Sequence, residues 1–210
     1  MRRLWPLLPA VALLGWCILA GWRALSPSGA RMAREPVDWT REPAQTTTDR
    51  PAFTIATRQG PVTLRPRAAY EISGVAAGAE RYWRDADAFL SPVDVALVWG
   101  KLPEEPYWRG VRYTQGDRYY LWRTSSPELD PDYIAEHSAN LHAIPAKAAV
   151  RRALLAVGAG DWVRLRGLLV DAAGPGGFTW KTSLSRNDTG PASCELLWVE
   201  EAQIGDRVYR

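Results

Sequence analysis

A mainly β chain, a small Greek-key barrel carrying one helix behind an N-terminal transmembrane helix, is what this sequence predicts. Three observations lead there. Gly160–Asp171 reads G-D-W-V-R-L-R-G-L-L-V-D. Trp162, Arg164, Arg166 and Leu168 fall on one face of an extended segment, and Val163, Leu165, Gly167 and Leu169 on the other. Ala146–Val157, just before it, reads A-K-A-A-V-R-R-A-L-L-A-V, with Val150, Leu154 and Val157 at helical spacing among strong helix formers. Leu4–Gly21 holds no charged residue.

The strand is entered through a Gly160-Asp161 turn. Gly167 lies inside it, where a missing side chain marks a bulge or a sharp bend. A strand that bends in its middle is what a small barrel needs to close. Gly158 ends the helix. A helix passing through a glycine turn into a bent strand resembles the crossover between the third and fourth strands of the OB-fold. The expected domain is therefore an OB-like barrel, closed or partly open.

The apolar segment follows Arg2-Arg3. About 20 apolar residues cross a bilayer, and residues 4–22 reach that length with Trp5 and Trp22 at the two interfaces. A cleaved signal peptide fits less well, because its apolar core is shorter and ends at a small-x-small site. An uncleaved single-pass anchor is expected in a bacterial inner membrane. Arg2 and Arg3 keep the N-terminus inside, while Arg23, Arg31, Arg34 and Arg41 pull the other way. A short tail before a large domain favours a periplasmic domain.

Organisation follows from composition. Residues 1–25 form the anchor, 26–66 a linker and 67–210 the barrel domain. The linker holds Pro27, Pro36, Pro43 and Thr46-Thr47-Thr48, with short β-like pieces at Phe53–Thr57 and Val62–Leu64. Ala69–Ala77 reads as a first strand, bent at Gly74, and Val93–Trp99 as a second. Asp117–Thr124, D-R-Y-Y-L-W-R-T, reads as a third. Phe178–Leu184 is a hairpin partner, and Glu195–Ile204 is the last strand.

Charge excludes one class of partner. Residues 1–50 hold seven Arg against four acidic residues, whereas residues 51–210 hold nineteen basic against nineteen acidic. Phosphate recognition needs clustered positive charge. Nucleic acid is thus not an expected partner. Cys17 and Cys194 lie in different regions, so no disulfide is expected.

Chemistry-bearing residues are few. His137 and His142 are five apart, which fits neither a helical nor a strand metal pair, so no metal or other cofactor is expected. Ser138, Asn140 and His142 share one face if extended. Tying down backbone is the commonest use of such polar groups. Asp188-Thr189-Gly190 lacks the second aspartate of an aspartic-protease dyad and reads as a turn. Arg186 and Cys194, taken with His142, match the residue types of sortase transpeptidases. The motif itself is missing, because Gly190–Cys194 reads G-P-A-S-C at a turn. The barrel domain carries many tyrosines and tryptophans, more than one small core is expected to consume. Trp122 and Arg123, with Arg164 and Arg166 nearby in the fold, are the candidate binding residues for a glycan, a peptide or a protein.

Ser91–Gly100 (S-P-V-D-V-A-L-V-W-G), His137–Ala146 (H-S-A-N-L-H-A-I-P-A) and Ser183–Gly190 (S-L-S-R-N-D-T-G) resemble a family of uncharacterised single-pass bacterial membrane proteins with an OB-like domain. The resemblance covers most of residues 67–204. It implies one folded unit and carries no activity. With no complete catalytic set, an accessory or assembly factor with an envelope protein partner is expected. The alternative is an envelope enzyme, or a small-ligand or glycan binder, using the His142 cluster.

Overall fold

The computed structural model describes residues 29–185 and 194–210. The chain is mainly β. Its strands are β1 (Ala30–Met32), β2 (Ala44–Thr46), β3 (Phe53–Thr57), β4 (Gly60–Arg81), β5 (Val93–Val98), β6 (Val111–Gly116), β7 (Tyr119–Thr124), β8 (Ser138–Pro145), β9 (Trp162–Ala173), β10 (Thr179–Trp180), β11 (Glu195–Ile204) and β12 (Arg207–Tyr209). Among the described residues the α-helices are α1 (Tyr107–Gly110), α2 (Pro131–Glu136) and α3 (Ala148–Ala156).

Five strands pair in a ring: β4 with β5, β5 with β8, β8 with β11, β11 with β9, and β9 back to β4. Only β8 with β11 is parallel. Helix α3 lies between β8 and β9 in the chain, as its alanine-rich pattern predicts. The ring interior is filled by Ile72, Val95, Leu97, Leu141, Leu165, Leu169, Leu197 and Val199, closed at one end by Val150 and Leu154 of α3. Each such side chain contributes about 1.5–3 kcal/mol of burial.

Two glycines let the ring close. A Cβ on Gly167 would lie 1.8 Å from the Trp198 carbonyl oxygen, and one on Gly74 would lie 2.6 Å from that of Val98. Strand β11 takes up the curvature with a bulge between Val199 and Glu201, directly opposite Gly167.

Strand β4 runs for 22 residues and serves two layers. Its second half lines the ring. Its first half pairs with β3 and with the far end of β9. There Leu168, Val170 and Ala172, on the outward face of β9, are buried against Val62, Leu64, Phe53, Ile55 and Trp198. This second layer is why the apolar–basic alternation of β9 stops at Gly167. Leu168 shares its face with Arg166 but lies under β3 and β4.

The stretch 26–66, expected as a linker, belongs to the fold from Ala30 onward. Strand β1 pairs with β12, and β2 and β3 pair with β4. Val37 is buried, the Trp39 ring packs 4.5 Å from that of Trp162, and Glu42 accepts a hydrogen bond of 3.1 Å from Trp99 Nε1. Short prolyl segments fix no periodicity, so the pairing was invisible locally.

A second correction concerns the third barrel strand. Asp117–Thr124 is not part of the ring. Its strand β7 pairs only with β6, in a separate two-stranded ribbon. The third ring strand is β8, whose Ala139, Leu141 and Ala143 face inward while Ser138, Asn140 and His142 face outward. The expected membrane anchor at residues 4–22 lies outside the described residues. Among those described, no helix is long and apolar enough to cross a membrane.

Candidate functional site

The outward face of β5 and β8 is polar, and it is covered. Asp94 of β5 sits directly across from His142 of β8, and Ala96 across from Asn140. The β6–β7 ribbon lies over this face. Its turn, Asp117-Arg118, has both φ angles positive (50° and 68°), as a two-residue type I′ hairpin turn requires. That turn aims the Arg118 side chain down onto the barrel.

Arg118 is the centre of the site. Its Nη1 donates to Asp94 Oδ1 at 3.0 Å and to the Ser91 carbonyl at 2.9 Å, and its Nη2 donates to Asp85 Oδ1 at 2.8 Å. The guanidinium lies 3.6 Å over the Tyr82 ring and 5.7 Å from the Trp180 ring. Its backbone N–H donates to Tyr82 Oη at 3.1 Å. Asp94 is fully buried, so this pair is a desolvated one, and removing either partner leaves a buried charge.

His142 Nδ1 approaches Asp94 Oδ1 to 2.8 Å, but the ring N–H is not aligned for a hydrogen bond. The contact is an electrostatic neighbour relation rather than a bond. The Trp180 ring closes over the imidazole at 4.7 Å. Asn140 Oδ1 accepts from Gln115 Nε2 at 2.8 Å, and the same amide donates to the Asp94 carbonyl at 3.3 Å. Ser138 Oγ donates to the Ile134 carbonyl at 2.7 Å and lies 3.1 Å from Tyr120 Oη. Each of the three outward polar residues of β8 therefore meets a ribbon residue or the roof above it.

The electrostatics follow this geometry. Burial, and next the Asp94 charge, push the Tyr82 phenol up to about 12, so it stays neutral and accepts from Arg118. Burial raises Tyr120 in the same way. For Asp85, burial is the largest single influence and opposes ionisation. The hydrogen bond and charge of Arg118, joined by the backbone N–H groups of Asp87 and Ala88, outweigh it, and the carboxyl lies below its ordinary 3.8. Asp87, where burial prevails over Arg118, is raised.

A lowered carboxyl stabilises the fold fully above its unfolded value and loses that contribution as pH falls through the folded one. Asp85→Asn should thus lower the melting temperature at neutral pH by a small amount, since the group is partly exposed. The difference from wild type should close as pH drops below the ordinary carboxylate range. A gap that persisted in acid would assign the effect to packing instead.

The remaining expected residues scatter. Cys194 is a half-buried thiol just before β11, and the Asn140 side-chain nitrogen donates to its sulfur at 4.0 Å. Arg186 lies outside the described residues. Trp122 is half-buried under the ribbon, in the cluster of Val75, Val98, Leu102 and Ile134, whereas Arg123 faces solvent. Arg166 donates to Glu71 at 2.8 Å, and Arg164 lies 3.8 Å from Glu201. Trp122 and Arg123 belong to the ribbon, and Arg164 and Arg166 to β9. Among the described residues, no group of histidine, cysteine and acidic side chains has the arrangement to hold a metal ion.

Asp94 and Arg118 escaped the sequence reading. Asp94 sits in V-D-V-A-L-V, where an outward strand position ordinarily means water. Arg118 sits in a turn, where a charge is ordinary. The one available signal was an acidic residue inside an otherwise apolar strand.

The arrangement defines a β-barrel whose polar face is occupied by its own hairpin. No protein family, curated protein or solved structure matches this chain.

Proposed function

We propose that the five-strand ring is an OB-like barrel acting as the interaction module of a membrane-anchored envelope protein, an accessory or assembly factor for a membrane complex. The order of strands round the ring, with its single parallel pair and with α3 between the third and fourth ring strands, supports the OB-like reading. Residues 4–22, by their uncharged apolar length, supply the anchor in the bacterial inner membrane, and a short N-terminal tail before a large domain puts the barrel in the periplasm.

One observation carries the functional reading. The β5–β8 face, where barrels of this type take ligands, is filled by Arg118, Gln115 and Tyr120 of the chain itself. The roof, in turn, leaves Tyr119 and Leu121 in solvent, 49% and 59% exposed. Such residues on a rigidly docked hairpin suit a protein partner. In-cell crosslinking of the full chain, followed by mass spectrometry, should capture one discrete membrane or envelope protein. Reproducible absence of any partner would overturn the reading.

A second reading has one observation in its favour. Asp94 lies 2.8 Å from His142 Nδ1, and a turn of the imidazole that aligned Nδ1–H with that carboxylate would leave Nε2 as the basic nitrogen, as in hydrolase dyads. An envelope enzyme or small-ligand binder of that kind predicts that His142→Ala abolishes function at an unchanged melting temperature. The interaction-module reading predicts a lower melting temperature instead.

A further inference from the structure

The solvent face of the ribbon has its own pattern. Arg112 stands opposite Arg123, Thr114 opposite Leu121 and Gly116 opposite Tyr119. All six are exposed. Like charges directly opposite one another destabilise a strand pair. Neither guanidinium has a carboxylate partner among the described residues.

The ribbon also has an open edge. Among the described residues, strand β7 pairs with β6 alone. A two-residue type I′ turn makes Gly116 and Tyr119 a hydrogen-bonded pair, so the N–H and C=O groups of Tyr120, Trp122 and Thr124 point away from β6. An uncovered strand edge is a template for another strand. Arg118, held by Asp94 and Asp85, fixes the ribbon against the barrel and keeps that edge presented.

We propose that the edge of β7 binds an extended acidic segment of a partner protein by strand addition. This rests on the interaction-module reading and names its docking surface. A carboxylate opposite Arg123 meets that guanidinium and, across the ribbon, Arg112. Two residues further along the added strand, an apolar side chain meets Leu121, and two further still another meets Tyr119. Backbone hydrogen bonds supply adhesion, and the alternate side chains supply selection. A second copy of this chain is disfavoured, because pairing two β7 edges would gather four arginines on one face without an acidic residue among them.

The test is selection of random peptides displayed on phage against the immobilised full chain and against R112E/R123E. Both positions are exposed, so the variant should keep the wild-type melting temperature. Wild type should enrich peptides with Asp or Glu two positions from an apolar residue. The charge-reversed chain should enrich Lys or Arg there instead. A peptide selected on wild type should bind the variant about tenfold or more weakly.

Enrichment without acidic residues, or the same peptides on both chains, would overturn the proposal. So would loss, in the variant, of binding to phosphatidylglycerol vesicles or single-stranded DNA with peptide binding intact. If R112E/R123E still captures the crosslinked envelope partner, the module reading stands and the β7 edge does not. If neither chain captures any partner while the acidic peptides still switch, the edge stands and the proposed partner class fails.

Discussion

Gly167→Ala should leave the barrel unable to close. The added Cβ would sit 1.8 Å from the Trp198 carbonyl oxygen, 2.9 Å from the carbon of that carbonyl and 3.2 Å from the Glu200 nitrogen. All three atoms are backbone, so no rotamer change relieves the contact. Strand β11 cannot retreat, because β8 holds its other side. The expected loss is about 3 kcal/mol or more, toward the upper end of overpacking penalties. Against a typical domain stability of about 5–15 kcal/mol, this is a large share. Two further variants grade the effect. Gly74→Ala places its Cβ 2.6 Å from a carbonyl and should cost less, and Gly116→Ala meets nothing within 4 Å and should be near neutral. Urea unfolding of the three variants reads the order directly. A Gly167→Ala midpoint equal to that of Gly116→Ala would mean that β9 and β11 are not in this register.

Arg118→Met should undock the ribbon. Methionine keeps the apolar stem over Tyr82 and removes the charge. Asp94, with its side chain 1% exposed, is then left without its cation. An uncompensated buried charge of this kind costs about 3–5 kcal/mol. The loss should be local first. Hydrogen exchange at residues 111–124 should accelerate more than exchange in β9 or β11, because the ribbon is a separate sheet. Combining Arg118→Met with Asp94→Asn should return part of the loss, since the two groups are directly coupled. Equal protection of the ribbon in wild type and Arg118→Met would show that apolar contacts of Tyr113 and Trp122 suffice to hold it.

How much of this was legible depended on distance along the chain. The helix at 148–156 and the strand at 162–173 were both readable, because helical spacing and strand alternation are properties of neighbours. The ribbon turn was readable too. Gln115-Gly116 signals a reversal between two β-like pieces, and the reversal falls just after it, at Asp117-Arg118, with Gln115 and Gly116 themselves in β6. The strand after it was recognised as a strand and given to the wrong sheet. Alternation in D-R-Y-Y-L-W-R-T says that one side is buried and says nothing about what buries it.

The polar cluster shows the same limit from the other side. Ser138, Asn140 and His142 were placed on one face by their spacing, and they do share it. That face becomes an interior because the ribbon lies on it and Trp180 closes over His142. Nothing within residues 138–142 specifies a roof built from residues 115–120.

The sequence by itself determined the local terms: a β-rich chain, its turns, the helix at 148–156, and equal numbers of basic and acidic residues across 51–210. The tertiary structure alone decided the partners. Arg118 meets Asp85 across 33 residues of chain, and Trp99 meets Glu42 across 57. Such contacts form only when ring closure brings distant segments together. Closure turns on the backbone clearance at Gly167 and on the bulge opposite it, which lie in different strands and leave no shared pattern in the sequence.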